Sequence, residues 1–266
     1  MSLKNFQTRD NETISYFDSE KGNETVLLIH GFPFSHEMWT PQIEELKKNY
    51  RVVAPDMRGM GGSSLDAQFT LEMLANDLIF MVEELELPKV HAVGFSMGGY
   101  VLLRALEKQA SLFYSITLAD TQTAPDSDET KIKRTDALLA IKEKGLEIFA
   151  TGFLTKATTQ ETQNNRPILM GELKRLIGKN SSRGAIGLIL AMMGRTDTEA
   201  ILSKLTQKTL ILVGEHDVIT PVLVAQKMKE KIPHAELKII PQAGHMSNQE
   251  NEAFFNMELE SFFRSV

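Results

Sequence analysis

Gly94-Phe95-Ser96-Met97-Gly98 lies between an apolar run, Lys89-Val90-His91-Ala92-Val93, and an apolar-periodic stretch, Gly99-Tyr100-Val101-Leu102-Leu103-Arg104-Ala105-Leu106. A serine between two close glycines, at the junction of a strand and a helix, is the setting that holds a hydroxyl out on a sharp turn as a nucleophile. At average composition the five-residue pattern recurs by chance in roughly one chain in ten of this length. A serine that only caps a helix would look the same. The chemistry therefore requires partners: a base, an acid that orients the base, and fixed donors for a developing oxyanion.

Six histidines are available as the base. His91 reads as a core residue of a strand, and His30 as a hydrogen-bonding residue that shapes the turn it opens. His36, His216 and His234 lie in polar loops and read as solvated. His245 differs. It follows a predicted strand, in Pro241-Gln242-Ala243-Gly244-His245-Met246-Ser247, and precedes a C-terminal helical stretch. Loops at the carboxyl ends of strands are where α/β sheets place working residues.

A histidine base needs a carboxylate to fix its tautomer and stabilise the imidazolium. Asp217, in Gly214-Glu215-His216-Asp217, follows the penultimate strand in a loop with turn residues able to lift the side chain off the sheet. Asp120 also ends a strand and is its rival; Asp217 is preferred. The resulting order is Ser96, Asp217, His245. The oxyanion donors expected are the backbone N–H of Met97, at the start of a helix, and that of Phe32, in the turn His30-Gly31-Phe32-Pro33. Phe34, Met38, Trp39 and Tyr100 are candidates for pocket lining, though each reads equally well as core.

The elements that must position these residues alternate along the chain. Strands are expected over 13–17, 25–29, 50–54, 90–93, 115–119, 209–213 and 236–240, most as continuous apolar runs typical of a parallel sheet covered on both faces. Between them run amphipathic helices. In the one from Thr70 to Leu87, Leu71, Leu74, Leu78, Met81 and Leu85 make the stripe, Thr70 is the cap and Pro88 the stop. From about 121 to 196 no strand-like run appears, only helical stretches near 131–144, 146–154, 167–176 and 183–193. This predicts a core domain of 1–120 and 197–266, with a helical cap, 121–196, inserted into it. A cap of that kind would roof a pocket.

Composition narrows the classes. The chain has 266 residues, a net charge of −6 and no cysteine. Nucleic acid is not expected as a partner, since no basic stripe is offered to phosphates. Disulfides, thiolate chemistry and cysteine-ligated metals are excluded. No signal-peptide core and no membrane-length apolar run is present, so a cytoplasmic location is expected, away from membranes. No cofactor or metal is implied, because no side-chain cluster has ligand spacing. Oligomeric state is not legible.

Taken together, the chain resembles the α/β-hydrolase superfamily over nearly its whole length. The motifs that carry this are His30-Gly31-Phe32-Pro33 with Trp39, Asp56-Met57-Arg58-Gly59-Met60-Gly61 with Ser63, and Gly94-Phe95-Ser96-Met97-Gly98-Gly99. Gly214-Glu215-His216-Asp217 with Thr220-Pro221, and Gly244-His245, complete the set. Within the superfamily it is most similar to the small esterase and lactonase branch that includes 3-oxoadipate enol-lactonase-like proteins. The resemblance implies a mostly parallel sheet of about eight strands with helices on both faces and a helical cap insertion. It also implies a serine hydrolase acting on a small ester or lactone through an acyl-enzyme. Asp56 and Arg58 belong to a loop that is structural in this family.

Two alternatives stay open at this level. One keeps the same three residues but cleaves a carbon–carbon bond in ring-fission products, which calls for extra polar pocket residues. The other is a ligand-sensing protein with slow turnover, which a single burst without sustained hydrolysis would reveal.

Overall fold

Thr25–Ile29 (β3), Val90–Phe95 (β5) and Lys208–Gly214 (β7) are almost wholly apolar, and every residue but the first of β7 is buried. Strands buried on alternate side chains in both directions must be covered on both faces, which forces helices above and below the sheet. The computed structural model, which describes residues 3–266, shows how the chain meets that demand. Leu3–Gln7 (β1), Thr13–Asp18 (β2), Arg51–Pro55 (β4), Phe113–Ala119 (β6) and Glu236–Ile240 (β8) complete one eight-stranded sheet in the order β1-β2-β4-β3-β5-β6-β7-β8. From β4 onward the neighbours are parallel; β1–β2 and β2–β4 are antiparallel.

The strand order decides where a site can form. From β3 the chain moves outward to β4, then crosses back to lay β5 on the other side of β3. Connections leaving β3 and β5 therefore diverge, opening a crevice at their carboxyl ends. His30 to Pro33 follows β3 there, and Ser96 follows β5.

Thr40–Leu46 (α1), Leu71–Glu84 (α2) and Met97–Gln109 (α3) fill the first crossovers. Helix α2 starts where Thr70 accepts the Met73 N–H at 3.3 Å; it buries Leu71, Leu74, Leu78 and Met81 and packs alongside α3. Asp128–Lys144 (α4), Leu146–Ala157 (α5), Gln160–Asn165 (α6), Pro167–Gly178 (α7) and Ser182–Met193 (α8) all lie between β6 and β7. Glu199–Leu202 (α9), Val222–Lys231 (α10), Ser247–Glu250 (α11) and Glu252–Arg264 (α12) finish the chain. Where the α4–α8 segment leaves and rejoins the sheet, its two ends are tied. Thr198 N–H donates to Thr123 O at 3.2 Å, and buried Arg195 bonds Asp126 Oδ1 at 2.6 Å and Ala124 O at 2.8 Å.

Two features depart from the sequence reading. Strand β1 carries only one buried residue, Phe6, so its pattern reads as a polar terminus; pairing with β2 makes it a strand. His36 is not solvated. It is buried, and its ring Nδ1 and backbone N–H both reach Asp56 Oδ1, at 2.8 and 2.7 Å. That bond spans twenty residues of sequence and leaves no local signature.

Candidate active site

Ser96 follows β5 with φ of 51°, a left-handed conformation that side chains other than glycine rarely adopt. The turn survives because its neighbours are pared down. A Cβ on Gly98 would stand 2.1 Å from Ile29 O, and one on Gly94 would stand 2.7 Å from Gly98 O. The first of these close approaches presses the start of α3 against the end of β3. Gly31 does the same from the opposite side: a Cβ there would meet Ser96 Cβ at 3.4 Å.

The serine hydroxyl is not alone. His245 Nε2 lies 2.8 Å from Ser96 Oγ, and His245 Nδ1 lies 2.7 Å from Asp217 Oδ2. With the ring proton on Nδ1 and donated to Asp217, Nε2 is left as the acceptor for the serine hydroxyl. Asp217 and His245 are buried and Ser96 is partly exposed. Three loops, the first more than a hundred residues of chain from the other two, thus converge at one edge of the sheet.

Asp217 is held from several directions. Its Oδ1 accepts the N–H groups of Ile219 at 2.7 Å and Thr220 at 2.9 Å, and its Oδ2 accepts the Thr220 hydroxyl at 2.7 Å. Burial pushes its carboxyl up, but the adjacent His245 and the Thr220 hydrogen bonds outweigh that and hold it below the ordinary aspartate value. An ionised carboxylate is what an imidazole base needs behind it.

The rival acid, Asp120, is fully buried but does not touch the imidazole donor. Its Oδ1 accepts the Gly214 N–H at 2.8 Å, and its Oδ2 pairs with the Ser247 hydroxyl. Burial, followed by the charge of Asp217, pushes the Asp120 carboxyl well above its ordinary value. The donor atoms of Asp120, Asp217 and His245 lie within 4.8 Å of one another, a convergence that sequence spacing does not reveal. Those donors are spent on Gly214, Ser247, Ile219, Thr220 and Ser96 rather than facing a shared centre.

The backbone N–H groups of Phe32 and Met97 donate to no protein group among the described residues. Met97 opens the thirteen-residue helix α3, whose aligned peptide dipoles make its first amides attractive to negative charge. His30 shapes the other turn as expected. Its Nε2 accepts the Met57 N–H at 2.9 Å, its Nδ1 bonds Gly31 O at 3.0 Å, and burial keeps the ring below the usual histidine value.

The pocket candidates fare differently. Met38 and Trp39 have no accessible surface, and Phe34 and Tyr100 keep 1% and 6% of theirs. Trp39 packs edge-on against Phe95, and the Arg195 guanidinium lies over the Tyr100 ring. All four are buried in the core, and Phe34 also packs against Phe153 with ring centroids 6.4 Å apart. The partly exposed aromatics are instead Phe32 and, from α5, Phe149 and Phe153, with ring centroids 5.9–6.2 Å apart. The α5 pair was hidden because its spacing, four residues on a helix, reads as ordinary core.

Glu250 was also missed. Its Oε2 accepts the N–H of Gly244, just ahead of His245, at 2.7 Å, while Oε1 accepts the Thr159 N–H at 2.7 Å. Ala157 O accepts the Met246 N–H at 2.9 Å. The histidine loop is thereby bonded directly to the α5–α6 corner.

A family model of the alpha/beta hydrolase fold matches residues 24–252. The chain belongs to the α/β-hydrolase family. This α/β-fold hydrolase is 26% identical over 259 residues to 3-oxoadipate enol-lactonase 1 of Acinetobacter baylyi, with 97% of this chain and 96% of the relative covered. Its fold superposes on a thermophilic esterase from Thermogutta terrifontis with a TM-score of 0.93 and 29% identity, covering 100% of this chain and 99% of the other. The enol-lactonase from Burkholderia xenovorans matches with a TM-score of 0.90 at 20% identity, covering 98% and 100%, a likeness of fold alone. No helix among the described residues of the hydrolase is long and apolar enough to cross a membrane.

Proposed function

We propose that this chain is a serine esterase or lactonase that works through an acyl-enzyme. Ser96 Oγ attacks the carbonyl carbon of a small carboxylic ester or lactone while His245 Nε2 takes its proton. Asp217 holds the ring and stabilises the imidazolium. The carbonyl oxygen, now negative, is received by the N–H groups of Phe32 and Met97; one such donor is worth about 3 kcal/mol in the barrier. His245 then protonates the departing alkoxide, which stays attached in the lactone case. A water that gives its proton to His245 attacks the acyl-enzyme, and collapse returns the proton to Ser96. The single observation that carries this reading is the unbroken chain from Ser96 Oγ through the imidazole to Asp217, at 2.8 and 2.7 Å.

The segment 121–196 acts in this reading as the cap over the reacting carbonyl. Support comes from its contacts around the site. Besides the Glu250 link, Asn180 accepts the Gly61 N–H at 2.8 Å and donates to Pro33 O at 3.0 Å. The Phe32, Phe149 and Phe153 rings offer an acyl group an uncharged wall. A neutral ester or lactone with an apolar acyl part is the substrate class that suits them.

Steady-state assay of p-nitrophenyl acetate, butyrate and octanoate, alongside γ- and δ-lactones, tests the proposal. Sustained turnover of at least one class, lost in Ser96→Ala, supports it. Turnover of none of them, or undiminished turnover in Ser96→Ala, overturns it.

A further inference from the structure

Asp120 is a buried acid that the proposed reaction does not use. It directly follows β6, the strand between those that deliver Ser96 and Asp217. Its backbone N–H donates to Leu212 O at 2.9 Å, and its φ of 46° turns the side chain toward the site at a conformation that aspartate tolerates better than most residues. One carboxyl oxygen accepts the N–H of Gly214, the residue that opens the Asp217 loop. The other bonds the hydroxyl of Ser247, two residues past His245.

These two loops are already pressed together. A Cβ on Gly214 would stand 2.0 Å from Gly244 O, and His216 N–H donates to Ala243 O at 2.8 Å. Asp120 is the third point of that joint, reaching both loops from a rigid strand end. We propose that Asp120 is a positioning residue for the reaction, acting through Asp217 and His245 by fixing the loops that carry them. The proposal rests on the reading of Ser96, Asp217 and His245 as the catalytic set.

Charge is part of the arrangement. The titratable groups that face Asp120 are Asp217, from the loop after β7, and His245, from the loop after β8. Two buried carboxylates this close cannot both ionise, and the one against the imidazole keeps the charge. Asp120 therefore carries a proton in the working enzyme. It holds the loops as a neutral acid, leaving Asp217 the only anion behind the ring. An ionised Asp120 would add a second negative charge there.

Asp120→Asn, Asp120→Leu and Ser247→Ala, each assayed beside wild type and Ser96→Ala across pH 5–10, test this. Asparagine keeps an acceptor for Gly214 and a donor for Ser247. Its kcat is expected within about threefold of wild type, with the acid limb of kcat/KM unmoved, since that limb reports the free enzyme's base. Leucine keeps neither bond, and its kcat is expected to fall about a hundredfold with KM little changed; Ser247→Ala, which cuts one tie and folds more safely, about tenfold.

Wild-type kcat in both Ser247→Ala and Asp120→Leu overturns the positioning role. An acid limb shifted down by a unit or more in Asp120→Asn overturns the neutral form, because it shows that a negative charge was removed from beside the imidazole. If wild type itself turns over no ester or lactone, the catalytic reading has failed rather than this one.

Discussion

Glu250 bonds the Thr159 backbone N–H at 2.7 Å with one oxygen while its other oxygen holds the Gly244 N–H, adjacent to His245. One side chain thus couples the loop of the base to the helical segment between β6 and β7. The Gly244 amide is buried and the Thr159 amide partly so, and leaving a buried donor unpaired costs about 1–3 kcal/mol. Glu250→Ala is expected to lower stability by about 2 kcal/mol, read by urea unfolding, and to reduce kcat by about tenfold or more as the histidine loop loosens. Unchanged kcat would show that the loop's other ties, to Ala157, His216 and Asp120, hold it adequately.

Asp217→Asn preserves volume but reverses the polarity of one side of the carboxyl. The amide group can donate where the imidazole Nδ1–H also donates, so the ring adopts the tautomer that cannot accept the serine proton. The expected loss is about 10⁴-fold in kcat, with KM nearly unchanged. Stopped assays at pH 7–8 with p-nitrophenyl butyrate measure both. A loss under about tenfold would mean that another group orients His245.

Phe153 stands between Phe32, Phe34 and Phe149, with centroids 6.2, 6.4 and 5.9 Å away. If these rings form the acyl wall, Phe153→Ala should raise KM for butyrate and longer esters by about tenfold and leave acetate little affected, since removing apolar contact costs roughly 1–3 kcal/mol in such pockets. Equal effects on all chain lengths would place the ring away from the acyl group.

Asp18 offers a test of pH-dependent stability far from the site. Its side chain is fully buried and bonds Arg51 at 2.9 and 3.1 Å and Lys4 at 3.2 Å. Burial pushes the carboxyl up, but the Arg51 guanidinium and neighbouring hydrogen bonds outweigh it and the folded value is depressed. A depressed folded value gives stability above the unfolded pKa, lost as pH falls through the folded one. Asp18→Asn is therefore expected to melt lower than wild type at pH 7, by about 1–2 kcal/mol of stability, with the gap closing below about pH 4. A gap independent of pH would assign the loss to packing.

The reach of the sequence had physical limits. Ser96, Asp217 and His245 could be picked out as candidates because each lies just past a strand in a loop with glycine; β5 and β7 are continuous apolar runs, whereas β8, ahead of His245, mixes polar and apolar residues. Choosing Asp217 over Asp120 was harder, since both end strands. What separates them is that Gly214 and Ser247 occupy the oxygens of Asp120, contacts made across strands β6, β7 and the loop after β8. The buried His36–Asp56 pair, the Glu250 link and the α5 aromatics share that character: each is a long-range pairing of residues whose local context is ordinary. Strand β1 was hidden for a simpler reason, as an edge strand with one buried side chain has almost no hydrophobic pattern to show.

The central claim, that Ser96 is an activated nucleophile, is tested most directly by labelling the protein with a fluorophosphonate and mapping the adduct by mass spectrometry. One equivalent should attach at Ser96, with none in Ser96→Ala and a much slower rate in His245→Ala. Wild-type protein that stays unmodified, or that carries the adduct on another residue, would contradict the account.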